Sequence, residues 1–593
     1  MIFIISLEIL LIRIRHNKEI KGIQIGEEEI KISAYADDLT NFLADSRSVT
    51  ALFHELEIFS RYSGLRCNEE KTEAMKLGNS NMDHANGFKL VKYMKITGIY
   101  FSFDEKLRYE KNYEGLLEKI ENTLKVWKCR GISLLGRIQI VKTYAMSQIS
   151  FVTNFVEPNT AFLTHFNKII FKFMWNGSEK VRRLTAITDY DVGGLRVPDI
   201  EAVLETQKVM WIKRYLCSKN HPWKSIFKNE LEKVGGENIL CNQAIDTRGI
   251  QNTQLSQNVK NIIIAYGNYI RETISKENVL EQHLFYNENI KKPSGHSIFY
   301  KKLIDKGLIY IRDIVSNHEI IKTDRITVFK NLNQIEAMQY NSIRLCIKSE
   351  IRTLIRNANG EAQGGMSKEG LISKFERKNS KIIYGEIINK KAIRPSSELK
   401  IEQIFGKNLD DSEWVNIYSI PFLATIEVKL RSFQIKINHY YYFTNKRLHH
   451  VRHAQPPQNG EERIEISPNC TFCNTEIETI NHLFVECPRL QHIWEYTTNI
   501  LNGLGFTEEI TGFIKLFGLL TLEHPNFEIG NHILLSAKYY IHISRCKKLN
   551  PSVRGLKKAI SDTEYLERKV AQKRNKSEKH NQKWNAFLAI AQV

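Results

Sequence analysis

Between residues 468 and 490 the chain reads PNCTFCNTEIETINHLFVECPRL, which sets Cys470, Cys473, His482 and Cys487 in a C-x2-C-x8-H-x4-C series. No other stretch limits the local fold so tightly. Two cysteines separated by two residues make a metal-binding turn, and a histidine with a third cysteine about one helical turn further on completes a tetrahedral N/S set. Thiolates favour Zn2+ over harder cations, and binding would fold a segment otherwise short of core. The competing reading treats the cysteines as small buried hydrophobes. His449, His450 and His453 precede the series. They are rival ligands to this set, but read better as surface or nucleic-acid-contacting residues, because a complete tetrahedral set exists without them.

The remaining cysteines are scattered, and their total of nine is odd. That pattern is not a disulfide framework and points to a reducing, intracellular compartment. Among 593 residues, 85 Lys and Arg face 66 Asp and Glu, a formal charge of +19. Such an excess suits a polyanionic partner, because each neutralised phosphate releases condensed counterions. The apolar opening MIFIISLEILLIRIR is broken by Glu8 and is far shorter than a membrane span. It reads instead as a buried helix, and no membrane role is expected.

Periodicity orders the rest. The spacing predicts a helix over residues 1–16, then short strands in IKGIQI and EEIKISAYADDLTNFLA with turns at Gly22 and Gly26. A second helix is expected through Val49, Leu52, Leu56 and Phe59, capped by Ser46 or Ser48 and stopped by Gly64. KYMKITGIYFS (92–102) reads as β structure, followed by two amphipathic helices ending near Trp127 and Ala145. Beyond about residue 155 the pattern is predominantly helical, with loops expected at 357–370 and 454–462. The run 545–583 carries 13 Lys and Arg against 4 Asp and Glu, and reads as a basic, solvated helix.

Asp37 and Asp38 sit inside strand-like sequence, at the expected tip of a hairpin. Adjacent carboxylates on a tight turn suit a pair of Mg2+ ions about 3.5–4 Å apart, the arrangement used for nucleotidyl transfer. A polar turn on an ordinary hairpin is the competing reading.

The motif AYADD resembles the YxDD hairpin of reverse transcriptases, and its surroundings extend the likeness to the non-LTR (LINE-type) retrotransposon enzymes. IRIRHNKEIKGIQIGEEEIKISAYADD is similar to the segment entering that hairpin, YSGLRCNEEKTEAM to the next palm segment, and YMKITGIYFS to the primer grip. LKVWKCRGISLLGRIQIVKTYAMSQISF resembles the thumb, GGLRVPDI the segment after it, and FTNKRLHHVRH through CPRLQHIW the C-terminal zinc-binding region. The resemblance implies an α+β, predominantly helical chain. Its expected regions are a partial palm over 1–105, thumb and post-thumb helices over 106–215, a helical connector over 216–425, a zinc-binding region over 426–500 and a basic helical tail over 501–593.

The same resemblance implies RNA-directed DNA polymerase activity, with RNA template, DNA primer or target and dNTPs as partners, in the nucleus or cytoplasm. Asp37 and Asp38 would bind catalytic Mg2+, while Tyr35, Ala36, Lys71 and Gly98 would line the nucleotide and primer. Lys128, Arg130, Arg137 and Lys142 would follow phosphates, and Zn2+ would be structural. The family's other metal-binding Asp, its fingers and its Gly-Pro nucleotide pocket precede the hairpin and are not found in this sequence. A truncated polymerase is therefore expected, with a catalytically inactive RNA- or DNA-binding fragment as the alternative.

Overall fold

The computed structural model describes residues 2–25, 28–78, 90–218, 221–358, 368–453 and 467–591. The turn expected at Gly26, residues 359–367 of the expected 357–370 loop, and the loop expected at 454–462 lie outside them. The fold is α+β and predominantly helical, and each sheet among the described residues is a two-stranded antiparallel hairpin. Two compact units form, each from three chain segments. One holds Met1–Leu117, Ile149–Leu163 and Ile200–Ile387; the other holds Glu118–Gln148, Thr164–Asp199 and Ile388–Val593.

In the first unit the opening helix, Ile2–His16, buries Leu7, Leu10, Leu11 and Ile14 at helical spacing against Ile20 and Leu52. Ile2, Ile4, Ile5, Ile9 and Ile12 are exposed, so the segment is buried on one side only. The next helix, Ser46–Ser63, ends at Gly64 with φ 73°, as expected. Its N-cap is Asp45, not Ser46 or Ser48. The Asp45 carboxylate accepts from the Ser48 amide and hydroxyl, both at 2.8 Å.

Hairpin geometry positions the paired aspartates. Ile32–Tyr35 and Asp38–Asn41 pair in the register Ile32↔Asn41 through Tyr35↔Asp38. The turn is thus Ala36–Asp37, and Asp38 is the first ladder residue rather than a tip residue. Ala36 takes φ 54°, as a two-residue hairpin turn demands of its first position. A second hairpin joins Met94–Ile96 to Ile99–Phe101 through Thr97 and Gly98, with φ 46° and 93°. Positive φ at both positions is the signature of a I′ turn, whose twist matches the strands.

A large apolar core lies in the C-terminal segment of the second unit. It runs from Ile401 and Trp414 through Phe484, Trp494 and Phe517 to Ile541, Leu556, Trp584 and Phe587. The C-terminal helices Val553–Lys573 and Ser577–Ala591 therefore contribute an inner face to this core, while Lys557, Lys569 and Lys579 lie exposed on the outer one. Beneath them the Glu567 carboxylate accepts from Lys583 Nζ (2.7 Å), Trp584 Nε1 (3.1 Å), Thr425 Oγ1 (2.8 Å) and the Ile426 amide (3.2 Å). A buried charge with every oxygen satisfied can hold elements together without an orphaned acceptor.

Candidate metal centre

Two short pieces of chain build the site, each supplying two ligands. The first is a knuckle in which the Cys470 amide donates to the Glu476 carbonyl (2.8 Å) and the Asn474 amide to the Cys470 carbonyl (2.9 Å). Asn474 makes the turn possible with φ 60°, a conformation that asparagine tolerates well. Asn469 and Ile477 close the knuckle as a β-bridge, leaving Cys470 buried and Cys473 half-buried on the same side.

The second pair depends on an unusual turn. Positions five apart on an α-helix point about 140° away from each other. Residues His482–Glu486 instead form a π-helical turn, and the Cys487 amide donates to the His482 carbonyl at 2.9 Å. The wider i→i+5 turn brings His482 and Cys487 to one side, which is what the H-x4-C spacing requires.

Together the four ligand atoms lie within 4.8 Å of one another. Cys470 Sγ and Cys487 Sγ are 3.8 Å apart, and Cys473 Sγ is 3.3 Å from His482 Nε2. Tetrahedral zinc, with bonds of about 2.3 Å to sulfur and 2.0–2.1 Å to nitrogen, sets S···S near 3.8 Å and S···N near 3.5 Å. All three cysteines are unbridged thiols. The donor set and its spacing fit Zn2+.

Electrostatics separates the thiols. Burial pushes Cys487 up to about 12 and raises Cys470 as well. Burial also acts upward on Cys473, but hydrogen bonds from the Glu476 amide, Thr475 and His482 outweigh it and bring that thiol down to about 6. A divalent cation supplies the charge that lets the buried thiols ionise.

Glu478 lies under this knuckle, fully buried, and sequence reasoning missed it. Its carboxylate accepts from the Asn445 amide (2.7 Å), from the Thr471 amide and hydroxyl (3.0 Å each) and from Arg545 Nε (2.9 Å). Arg545 also donates to Asn445 Oδ1 at 2.8 Å. This cluster fastens the first pair of ligands to the Phe527–Lys547 helix. Arg545 is 67 residues from Glu478, so no local spacing could announce the pair. Replacing Glu478 with Ala leaves the largely buried Arg545 guanidinium without its counter-charge and two amides without acceptors, and should cost about 3 kcal/mol. The check is a denaturant titration beside Glu478→Gln, which keeps one acceptor oxygen and should lose less.

The other expected site residues lie elsewhere. Tyr35, Ala36, Asp37 and Asp38 are exposed on their hairpin, Lys71 is exposed on the short helix Glu69–Lys71, and Gly98 is exposed in its I′ turn. Among the described residues, the zinc set is the sole cluster of three or more His, Cys, Asp or Glu placed to share a metal, so no third such group joins Asp37 and Asp38. Lys128 and Arg130 are exposed, with Arg130 over the Trp127 ring at 4.6 Å. Arg137 and Lys142 are half-buried, and burial lowers both. His449 is half-buried and His450 exposed, and neither belongs to the cluster.

A closed set of three thiols and one imidazole, anchored from behind by a buried ion pair, is a structural zinc module with no open coordination position. Residues 425–494, which contain all four ligands, match the family described as zinc-binding in reverse transcriptase. Among the described residues, no helix is long and apolar enough to cross a membrane.

Proposed function

We propose that this chain is the C-terminal part of a non-LTR (LINE-type) reverse transcriptase, a protein that grips an RNA template and a DNA primer or target. The match of residues 425–494 to the reverse-transcriptase zinc family carries the reading. The ordered palm and thumb motifs of the sequence and the net charge of +19 support it. In this reading Asp37 and Asp38 are Mg2+ ligands of RNA-directed DNA synthesis from dNTPs, with Tyr35, Ala36, Lys71 and Gly98 around the nucleotide and primer. Lys128, Arg130, Arg137 and Lys142 contact phosphates along the strand.

Mg2+ bound at such a hairpin would lower the pKa of the primer hydroxyl and neutralise charge on the leaving group. Two carboxylates alone do not complete a two-ion cradle, which needs further oxygen ligands. Because no third acidic group clusters with Asp37 and Asp38 among the described residues, no step of synthesis is assigned to this chain by itself. For the isolated polypeptide the reading put to the test is the binding-only alternative. The deciding experiment offers the purified chain an oligonucleotide-primed RNA, dNTPs and Mg2+. The expected outcome is RNA binding without incorporation. Incorporation that disappears in Asp37→Asn would overturn the binding-only reading and establish the hairpin as catalytic. Absence of any RNA or DNA binding would overturn both.

A further inference from the structure

Four half-buried cations of the zinc-bearing unit, Arg137, Lys180, Lys436 and Arg447, have no ion-pair partner among the described residues. They occur as two like-charged pairs. Lys180 Nζ and Arg447 Cζ both lie over the Phe443 ring, at 5.0 and 4.9 Å, and Arg447 acts on Lys180 as a neighbouring positive charge. Arg137 acts on Lys436 in the same way. Burial lowers Lys180, Lys436 and Arg137, so the fold holds these charges where water solvates them least well.

The two pairs are joined through backbone and rings. Arg137 Nη1 donates to the Met174 carbonyl (3.3 Å), and the adjoining Trp175 ring meets Tyr441 edge-on at 5.9 Å. The Tyr441 amide in turn donates to the Lys436 carbonyl (3.0 Å), and Phe443 follows two residues later. Acceptors are scarce beneath the strip too. Trp175 Nε1 and the Tyr441 hydroxyl are buried without a hydrogen-bond partner, in residues 9% and 6% exposed. The helix that carries Arg447, Asn445–His453, holds no acidic residue.

Repelling, partly desolvated cations with no carboxylate paired to them, and only the Cys546 thiol acting against the repulsion at Lys436, are destabilising by themselves, and an anion that spans both pairs removes the repulsion. We propose that Arg137, Lys436, Lys180 and Arg447, arranged about Phe443, form a phosphate-tracking strip that takes the sugar–phosphate backbone of a nucleic acid. The strip rests on the nucleic-acid-binding reading above and deepens it. It places part of the grip on the zinc-bearing unit itself and makes that part indifferent to base sequence.

The test titrates the zinc-loaded full chain with a labelled single-stranded RNA between about 50 and 200 mM salt, where phosphate contacts set the slope of affinity on salt. Lys180→Gln with Arg447→Gln, and separately Arg137→Gln with Lys436→Gln, should each weaken binding about tenfold and flatten the logarithmic slope by about 1.4. A second measurement needs no variant: bound RNA should protect Lys180 and Lys436 of the native chain from amine acylation, read by mass spectrometry. Unchanged affinity and slope in both doubles, or unprotected lysines under saturating RNA, overturns the strip and leaves nucleic-acid binding elsewhere on the chain intact. No binding by the unaltered chain overturns the strip and the functional reading together. Equal protection by polyglutamate of matched charge overturns the strip as a nucleic-acid site and points to an acidic protein partner.

Discussion

Cys487→Ser should empty the zinc site and loosen the unit that surrounds it. Cys487 is buried 3.8 Å from Cys470, and its amide closes the π turn that presents His482. The serine oxygen is a poor zinc ligand, so three donors remain and the buried Cys470 thiol loses the cation that favours its ionised form. The residues between and after the ligands, Leu483, Phe484, Leu490 and Trp494, belong to the common core, so loosening spreads beyond the knuckle. The ion pair behind the knuckle survives, which keeps the loss below that of an isolated zinc finger. The expected cost is about 5 kcal/mol, and the thermal transition should fall by roughly 10 °C. Metal analysis should find stoichiometric zinc in the unaltered chain and little in the variant. A strong chelator should reproduce the shift, and added zinc should reverse it only in the unaltered chain. His449→Ala and His450→Ala should keep full zinc; retained zinc in Cys487→Ser, or its loss in either of these, refutes the ligand assignment.

The second large effect is with pH. His439, His532 and His542 of the second unit are all held neutral, each chiefly by burial, with His439 and His542 brought down to about 4. His439 lies against Tyr418, His532 sits between the Ala424 carbonyl (3.0 Å) and Lys583, and His542 accepts from the Tyr442 hydroxyl at 2.7 Å. In the unfolded chain these imidazoles titrate near 6.5. Between about pH 6.5 and 4 the unfolded state therefore binds more protons than the folded one, and stability rises with pH. Their contribution is complete above the unfolded pKa and is lost as the pH falls below it, at up to about 4 kcal/mol per pH unit near pH 5.

Lys538 extends the same sign upward. It is fully buried, donates to the Leu516 carbonyl at 2.5 Å, and is pushed down to about 7 by burial. Between about pH 7 and 10 the unfolded lysine holds a proton that the folded one has released, so stability rises there as well. The Leu516 carbonyl keeps a second donor, Gln434 Nε2 at 2.8 Å, so Lys538→Met should remove the alkaline slope without orphaning it. Denaturant titrations followed by tryptophan fluorescence from pH 5 to 9 report mainly this unit, which holds Trp127, Trp175, Trp414, Trp494 and Trp584. Flat stability between pH 7 and 5 would rule out neutral buried histidines.

What could be read from the sequence was local. The zinc ligands are legible because metal coordination ties residue type to short spacing, and all four lie within 18 residues. The hairpin at 32–41 and the β character of 92–102 are legible because strand alternation acts over a few residues, while the exact turns, Ala36–Asp37 and Thr97–Gly98, are not. The cap of the Ser46–Ser63 helix shows the limit even at that range. Ser46, Ser48 and Asp45 are all capping types, and only the backbone path at Asp45 selects the carboxylate. Likewise the opening helix looked apolar enough to be buried, yet one face has no described partner core and stays exposed.

By itself the sequence determined the zinc ligand set, the paired aspartates, the basic balance and the predominance of helix. Each depends on composition or on residues a turn or two apart. Tertiary structure alone decided that the tail helices share a core with the zinc module, and that Glu478 meets Arg545. It also decided that Lys180 and Arg447 converge on Phe443. Those partners are separated by tens to hundreds of residues, and long-range packing brings them together, which no periodicity encodes. The same packing sets how much water each charge loses, and so which histidines and lysines become sensitive to pH.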